Sequence, residues 1–234
     1  MNIYTNINDE TALLSSYITE SSEILEAGCG QRWPLLLSVP YRLTGIDLDP
    51  VALDIRVNQQ KDLHEAILGD LRTHSFADAS FDVIYNSFVL EHVAGAEQVM
   101  DNFVRWLKPG GLLMVQIPVS NSVDGFITKH TPHWFHIAYY RAKGHKHAGK
   151  PGYAPYPTYY DPIVSIGGML DFCDRKGLKV REMYGQHYWV PQRQKRIARV
   201  VSAISAGKLS HNYNSVGWVI QKCSGQSAYP DDVN

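Results

Sequence analysis

The residues best placed to do chemistry begin at Glu26-Ala27-Gly28-Cys29-Gly30, just after Ile24 and Leu25, and continue at Asp47-Leu48-Asp49-Pro50, after Leu43-Thr44-Gly45-Ile46. Glycine tolerates a left-handed turn and lets backbone approach a ligand, so Gly28 and Gly30 read as a turn closing a short buried strand. A carboxylate about 20 residues further on, at the end of the next strand, suits a ribose diol. Glu26 beside the glycines would repel a pyrophosphate but can hold an ammonium. The pattern therefore reads as an adenosine-binding unit. Gly69-Asp70-Leu71 adds an acid after a third apolar run, and Asn86-Ser87 closes a fourth. Proton acceptors near neutrality are histidines, and His92, His130, His133 and His136 are the candidates, His133 ahead of His130. The spacing His130-x-x-His133-x-x-His136 invites a metal reading, but a helix spreads these side chains and no carboxylate cluster completes a site, so no metal is expected.

Strands must carry these groups to one edge of a sheet. Leu13, Leu14, Tyr17 and Ile18 fall at helical spacing and predict a helix over 10–18. Apolar positions from Trp33 to Val39 predict a short helix after the glycine turn, limited by Pro34 and Pro40. Strands are expected over 42–47, 66–70, 81–86 and 112–117. The helix over 51–60 is opened by Pro50, and that over 95–107 is stopped by Lys108-Pro109-Gly110-Gly111. Alternation of this kind is an α/β, Rossmann-like doubly wound sheet, whose ligands sit beyond the C-terminal strand ends.

Residues 121–160 break the rhythm. They read as a structureless, aromatic and basic insertion, with Trp134, Phe135, Tyr139, Tyr140, Tyr153, Tyr156, Tyr159 and Tyr160 among Lys129, Arg141, Lys143, Lys146 and Lys150. Flat rings suit sugar faces and cations suit phosphate or carboxylate, so the insertion is expected to cover an anionic or glycosylated acceptor. A helix over 162–176, a strand over 178–184 and a last strand over 215–222 follow. Between the last two strands, Arg193, Lys195, Arg196 and Arg199 adjoin Ile197, Val200, Val201 and Ile204, predicting a basic amphipathic helix within 190–210. One domain over 1–225 with a loose tail, 226–234, is the expected organisation.

The 234 residues carry a net charge of −1, with 44% hydrophobic and 19% charged side chains, an ordinary globular balance. No apolar stretch approaches membrane-spanning length and no leader opens the chain, which makes a cytoplasmic protein the expectation. Cys29, Cys173 and Cys223 lack disulfide or zinc spacing. Charge is segregated: residues 1–120 hold sixteen acids against seven bases, and residues 121–234 hold seven against fifteen. An anionic partner for the second part is one consequence; a solvated surface is the other.

The residues from Glu26 to Gly30 and Asp47 resemble the first two motifs of the class I S-adenosylmethionine-dependent methyltransferases, of small-molecule type, which run acid-x-Gly-x-Gly and then an acid at the next strand end. The stretch 81–93 is similar to that family's fourth-strand motif, and Leu107-Lys108-Pro109-Gly110-Gly111 to its next element, so the resemblance covers 20–120. It implies a seven-stranded sheet with the last strand antiparallel, S-adenosyl-L-methionine as cofactor, and contacts from Glu26, Gly28, Cys29, Gly30, Asp47, Leu48, Asp70, Leu71, Asn86 and Ser87. In that reading Glu26 faces the methionine ammonium, Asp47 the ribose, Asp70 and Leu71 the adenine, and Asn86 and Ser87 the methionine end. Nicotinamide dehydrogenases share the architecture but need a third glycine where this chain has Trp33. Arg32 departs from a further glycine that the methyltransferase pattern often has. Asn86-Ser87-Phe88-Val89 is not the Asn-Pro-Pro-Tyr expected of enzymes that methylate bases, which disfavours nucleic acid as acceptor. The expected acceptor is a small molecule, methylated at a hydroxyl oxygen; a nucleic-acid or lipid-linked acceptor and a non-catalytic adenosyl-binding scaffold are the alternatives.

Overall fold

Short apolar runs bounded by glycines, acids and prolines form the strands, and they align so that the chemistry-bearing residues share one edge. The computed structural model describes residues 2–4, 7–150, 153–159, 161–186, 200–201, 204–205, 209 and 212–224. Strands β1 (Asn2–Tyr4), β2 (Ser22–Ala27), β3 (Tyr41–Asp47), β4 (Glu65–Leu68), β5 (Phe81–Ser87), β6 (Leu107–Pro118), β7 (Lys179–Gln186) and β8 (Ser215–Gln221) form one sheet in the order β1-β7-β8-β6-β5-β2-β3-β4. Strand β8 lies antiparallel to both β6 and β7, and the other pairings are parallel. The expected seven-stranded sheet with an antiparallel last strand is present, and the short β1 adds an eighth at the edge.

The described residues include helices α1 (Ile7–Ser15), α2 (Pro50–Asp54), α3 (Ala96–Trp106), α4 (Val123–His130), α5 (His133–Ala142) and α6 (Ile166–Arg175). One core cluster joins Leu25, Ala27, Ile84, Leu113 and Val115 to Phe103 and Trp106 of α3 and Phe172 of α6. The other joins Ile24, Val83, Tyr85 and Met114 to Leu14 of α1 and to Leu35. Side chains alternate across a strand, so Ile24 and Glu26 share this second face.

Several elements differ from the sequence expectation. Residues 33–39 are irregular, not helical, because Pro34 and Pro40 leave too little chain for a helix while Leu35 is buried and Trp33 packs edge-on against Tyr85. The helix after Pro50 switches at Ile55 to a π-helical turn through Gln60 and stops at Lys61, whose φ is +55°. The insertion is not structureless: α4 and α5 occupy most of 123–142, though α5 buries none of its residues. Most of the basic helix expected within 190–210, and the 226–234 tail, lie outside the described residues. Helix α6 starts later than expected because Ser165 Oγ caps it, accepting from Gly168 N–H at 3.0 Å.

Candidate active site

Parallel strands β2, β3, β4 and β5 end together, and a cavity of about 790 Å³ opens beyond those ends. It falls in the size range of small-molecule and cofactor sites. One wall is the turn after β2. Gly28 and Gly30 have φ of +74° and +54°, the left-handed region that glycine enters freely. A Cβ on Gly28 would stand 2.4 Å from Val89 Cγ2, whereas one on Gly30 would meet nothing within 4 Å, so the turn is packed on one side and open on the other.

Asp47 closes the turn. Its Oδ2 accepts from Gly30 N–H at 2.8 Å and its Oδ1 from Asp49 N–H at 2.9 Å, which aims the carboxylate and leaves each oxygen a further lone pair. Asp49 instead caps α2, accepting from Val51 N–H at 2.9 Å. Gly28, Gly30, Asp47, Leu48, Asp70, Leu71, Ser87 and His92 all line the cavity. Asp70 is held in a fork by Arg72, whose Nη2 and Nε lie 2.6 Å from Oδ2 and 3.0 Å from Oδ1; that guanidinium lowers the Asp70 pKa and keeps it ionised.

Glu26, Cys29 and Asn86 are set behind this wall, outside the residues lining the cavity. Glu26 is 4% exposed, and its Oε2 accepts from Arg56 Nη2 at 2.8 Å. The same guanidinium, fully buried, donates from Nη1 to the Cys29 carbonyl at 2.7 Å and from Nε to Asp62 Oδ1 at 2.7 Å. Asp62 Oδ2 accepts from Trp33 N–H at 3.2 Å. The neighbouring carboxylates hold Arg56 in its charged form, raising its pKa. The Glu26 carboxylate is thus spent on Arg56, beneath the turn. Asn86 is fully buried and donates from Nδ2 to the Ala27 carbonyl at 2.9 Å, tying β5 to the end of β2; its Oδ1 has no partner. Arg56 was missed by sequence reasoning, since a single arginine in a polar helix carries no signal of burial.

The outer wall comes from residues 153–159. Tyr159 N–H donates to the Glu91 carbonyl at 2.8 Å, and Tyr153, Tyr156, Pro157 and Tyr159 face the cavity. Beyond them, Asp161 Oδ2 accepts from Gly95 and Ala96 N–H at 2.7 and 2.9 Å, anchoring the segment to the start of α3. His92 lies between the walls. Its Nδ1 stands 2.7 Å from the Pro157 carbonyl and its ring packs edge-on to Tyr156. A carbonyl only accepts, so Nδ1 carries the proton and the lone pair is on Nε2, 3.9 Å from Glu91 Oε1. Burial lowers the His92 pKa, so the ring is neutral at pH 7. Glu91 is 4% exposed, and burial raises its pKa to about 8.

His133 and His130 are not among the cavity-lining residues. His133 is near enough for its charge to lower the His92 pKa, and His130 is exposed with its ring against Phe126. The basic residues of the insertion are likewise absent from the lining. Among the described residues no three His, Cys, Asp or Glu side chains are grouped to hold a metal, and no helix is long and apolar enough to cross a membrane.

The residues present fit an adenosyl cofactor: an open glycine turn, a diol-ready carboxylate at Asp47 and a second acid at Asp70 converge on one cavity. Residues 25–115 match the methyltransferase domain family. A probable S-adenosylmethionine-dependent methyltransferase of Mycolicibacterium smegmatis is 33% identical over 41% of this chain and 38% of its own length. A malonyl-[acyl-carrier protein] O-methyltransferase of Serratia marcescens is 26% identical over 44% and 40%. The chain thus spans about two fifths of the length of these relatives. The N-methyltransferase NodS of Bradyrhizobium japonicum, solved with S-adenosyl-L-homocysteine, shares the fold with a TM-score of 0.54 at 17% identity over 92% of this chain and 84% of that one. Over residues 25–115 the chain matches the methyltransferase domain family, and the architecture around that segment is the fold of solved S-adenosylmethionine-dependent methyltransferases.

Proposed function

We propose that this chain moves the methyl group of S-adenosyl-L-methionine to a hydroxyl oxygen of a small acceptor, with His92 as the base that takes the hydroxyl proton. The observation that carries the reading is the fixed tautomer of His92 in the cavity wall, with its Nδ1 proton bound to Pro157 and its Nε2 lone pair free of a proton. The cofactor supplies the methyl group as an electrophile, its sulfur keeping the electron pair of the broken bond. The chain's own residues bind, orient and exclude water. Asp47 offers its remaining lone pairs to the ribose hydroxyls, and Asp70 with Leu71 receives the adenine. The Gly28-Cys29-Gly30 backbone and Ser87 bound the methionine end. Arg56, itself held by Glu26, holds the Cys29 carbonyl from beneath, and Asn86 holds β2 against β5. Alignment in a water-poor pocket contributes much of the rate of such a displacement, and a positioned base adds about 10²–10⁴-fold.

Tyr153, Tyr156 and Tyr159 favour an acceptor whose reacting part is a flat hydroxylated ring, aromatic or sugar. An anionic group on the acceptor would be held outside the cavity, where the insertion carries its cations.

The test combines ligand-induced thermal shift with methyl transfer from labelled S-adenosyl-L-methionine to hydroxylated probes, catechol and phenyl glucoside among them. His92→Gln should keep the stabilisation by S-adenosyl-L-homocysteine and lose about 10²-fold or more of transfer. Wild-type transfer should fall as pH drops through a pKa below the ordinary imidazole value, because the base must be neutral. Unchanged transfer and pH profile in His92→Gln would remove the base, and no thermal shift at millimolar ligand would remove the cofactor.

A further inference from the structure

Helix α5 is inside out. A surface helix turns its apolar stripe to the core. Here Trp134, Phe135, Ala138, Tyr139 and Ala142 form the exposed side, with Trp134 68% exposed, while His133, His136, Ile137 and Tyr140 are half-buried. Phe126 of α4 is exposed as well. The chain that follows is cationic: Arg141, Lys143, Lys146 and Lys150 are all exposed, and Lys143 Nζ stands 4.4 Å over the Tyr139 ring. From 125 to 160 the sequence holds no Asp or Glu. Exposed Trp and Phe beside unopposed Lys and Arg match, in polarity and in charge, the boundary between anionic headgroups and acyl chains.

We propose that the outer face of α5, with residues 141–150, docks on an anionic lipid surface. This is independent of which atom is methylated.

The experiment is co-sedimentation of the full chain with vesicles of mixed phosphatidylglycerol and phosphatidylcholine, against phosphatidylcholine alone, at low and raised salt. Two exposed-site variants accompany it, Trp134→Ser/Phe135→Ser and Lys143→Glu/Lys146→Glu, each checked for an intact thermal shift with S-adenosyl-L-homocysteine. The wild type should pellet with the anionic vesicles only and be released by salt. A lysine near such a surface is worth about fivefold in partitioning, so reversing two should lower it at least tenfold, and the aromatic variant should lower it at any salt. Absence of pelleting at low salt, equal pelleting on neutral vesicles, or variants that pellet like the wild type would overturn the proposal. So would binding to duplex DNA that needs Lys143 and Lys146 but not Trp134 and Phe135, which would assign the face to a nucleic acid. Loss of the thermal shift in the wild type would instead count against the cofactor reading and leave the lipid result standing.

Discussion

Replacing Arg56 by Met is the sharpest test of how the glycine turn is held. Methionine fills similar space without charge, so three bonds are lost: to Glu26, to Asp62 and to the Cys29 carbonyl. The three losses are unequal. Asp62 is partly exposed and can rehydrate, whereas Glu26 is left buried without its cation. Removing one partner of a buried ion pair costs about 3–5 kcal/mol, and a chain of this size loses roughly 2–4 °C per kcal/mol, so the melting temperature should fall by about 6–20 °C. An unpaired Glu26 holds a proton more tightly folded than unfolded. Its contribution is therefore present below the unfolded carboxyl pKa and lost as pH rises toward the folded one, and Arg56→Met should recover stability as pH is lowered from about 8 to about 5. Arg56→Met/Glu26→Gln should be less destabilised than Arg56→Met at pH 8, since no buried charge remains. Freeing the Cys29 carbonyl should also weaken S-adenosyl-L-homocysteine by about tenfold, the worth of one well-placed hydrogen bond. Circular-dichroism melts and calorimetric titration measure both. Arg56→Met melting within about 2 °C of wild type, with unchanged ligand affinity, would refute the idea that this buried network supports the turn.

Gly28→Ala should lower ligand affinity and stability together, because its Cβ meets Val89 Cγ2 at a positive φ; pairing it with Val89→Ala should restore only the steric part, as read by melting and titration. Glu91 is neutral in the fold at pH 7 and ionised when unfolded, so its contribution declines from about pH 5 to about pH 8; Glu91→Gln should flatten that slope and raise the melting temperature at pH 8, and an unaltered slope would show that another group sets it.

The glycine turn and the carboxylate beside it were legible because they are written in adjacent residues. Gly28, Gly30 and Asp47 follow short buried runs, whose bounding glycines and acids mark strand ends locally. What could not be read depends on partners far apart in the chain. Glu26 meets a cation 30 residues later, and nothing local distinguishes a carboxylate that faces a ligand from one that faces Arg56. His92 meets the Pro157 carbonyl 65 residues away, so nothing local in the sequence told how its ring is held. Helices α4 and α5 escaped because the usual signal is an apolar stripe with a polar back, and α5 shows that stripe to solvent among histidines and bases. Residues 33–39 erred the other way, with apolar residues buried by irregular chain that prolines keep from coiling.

The last strand is also the one in the middle. Strand β8 pairs with β6 on one side and β7 on the other, with Trp218 fully buried, and Lys222 just beyond it donates from Nζ to the Val104 and Leu107 carbonyls at 2.8 Å each. During synthesis, everything up to β7 leaves the ribosome before the piece that locks it. Until residues 215–222 arrive, the nascent sheet has an open slot between two unpaired edges, the kind of template that recruits neighbouring chains. The sheet is thus closed from the inside, by a strand that leaves the ribosome after both of its neighbours.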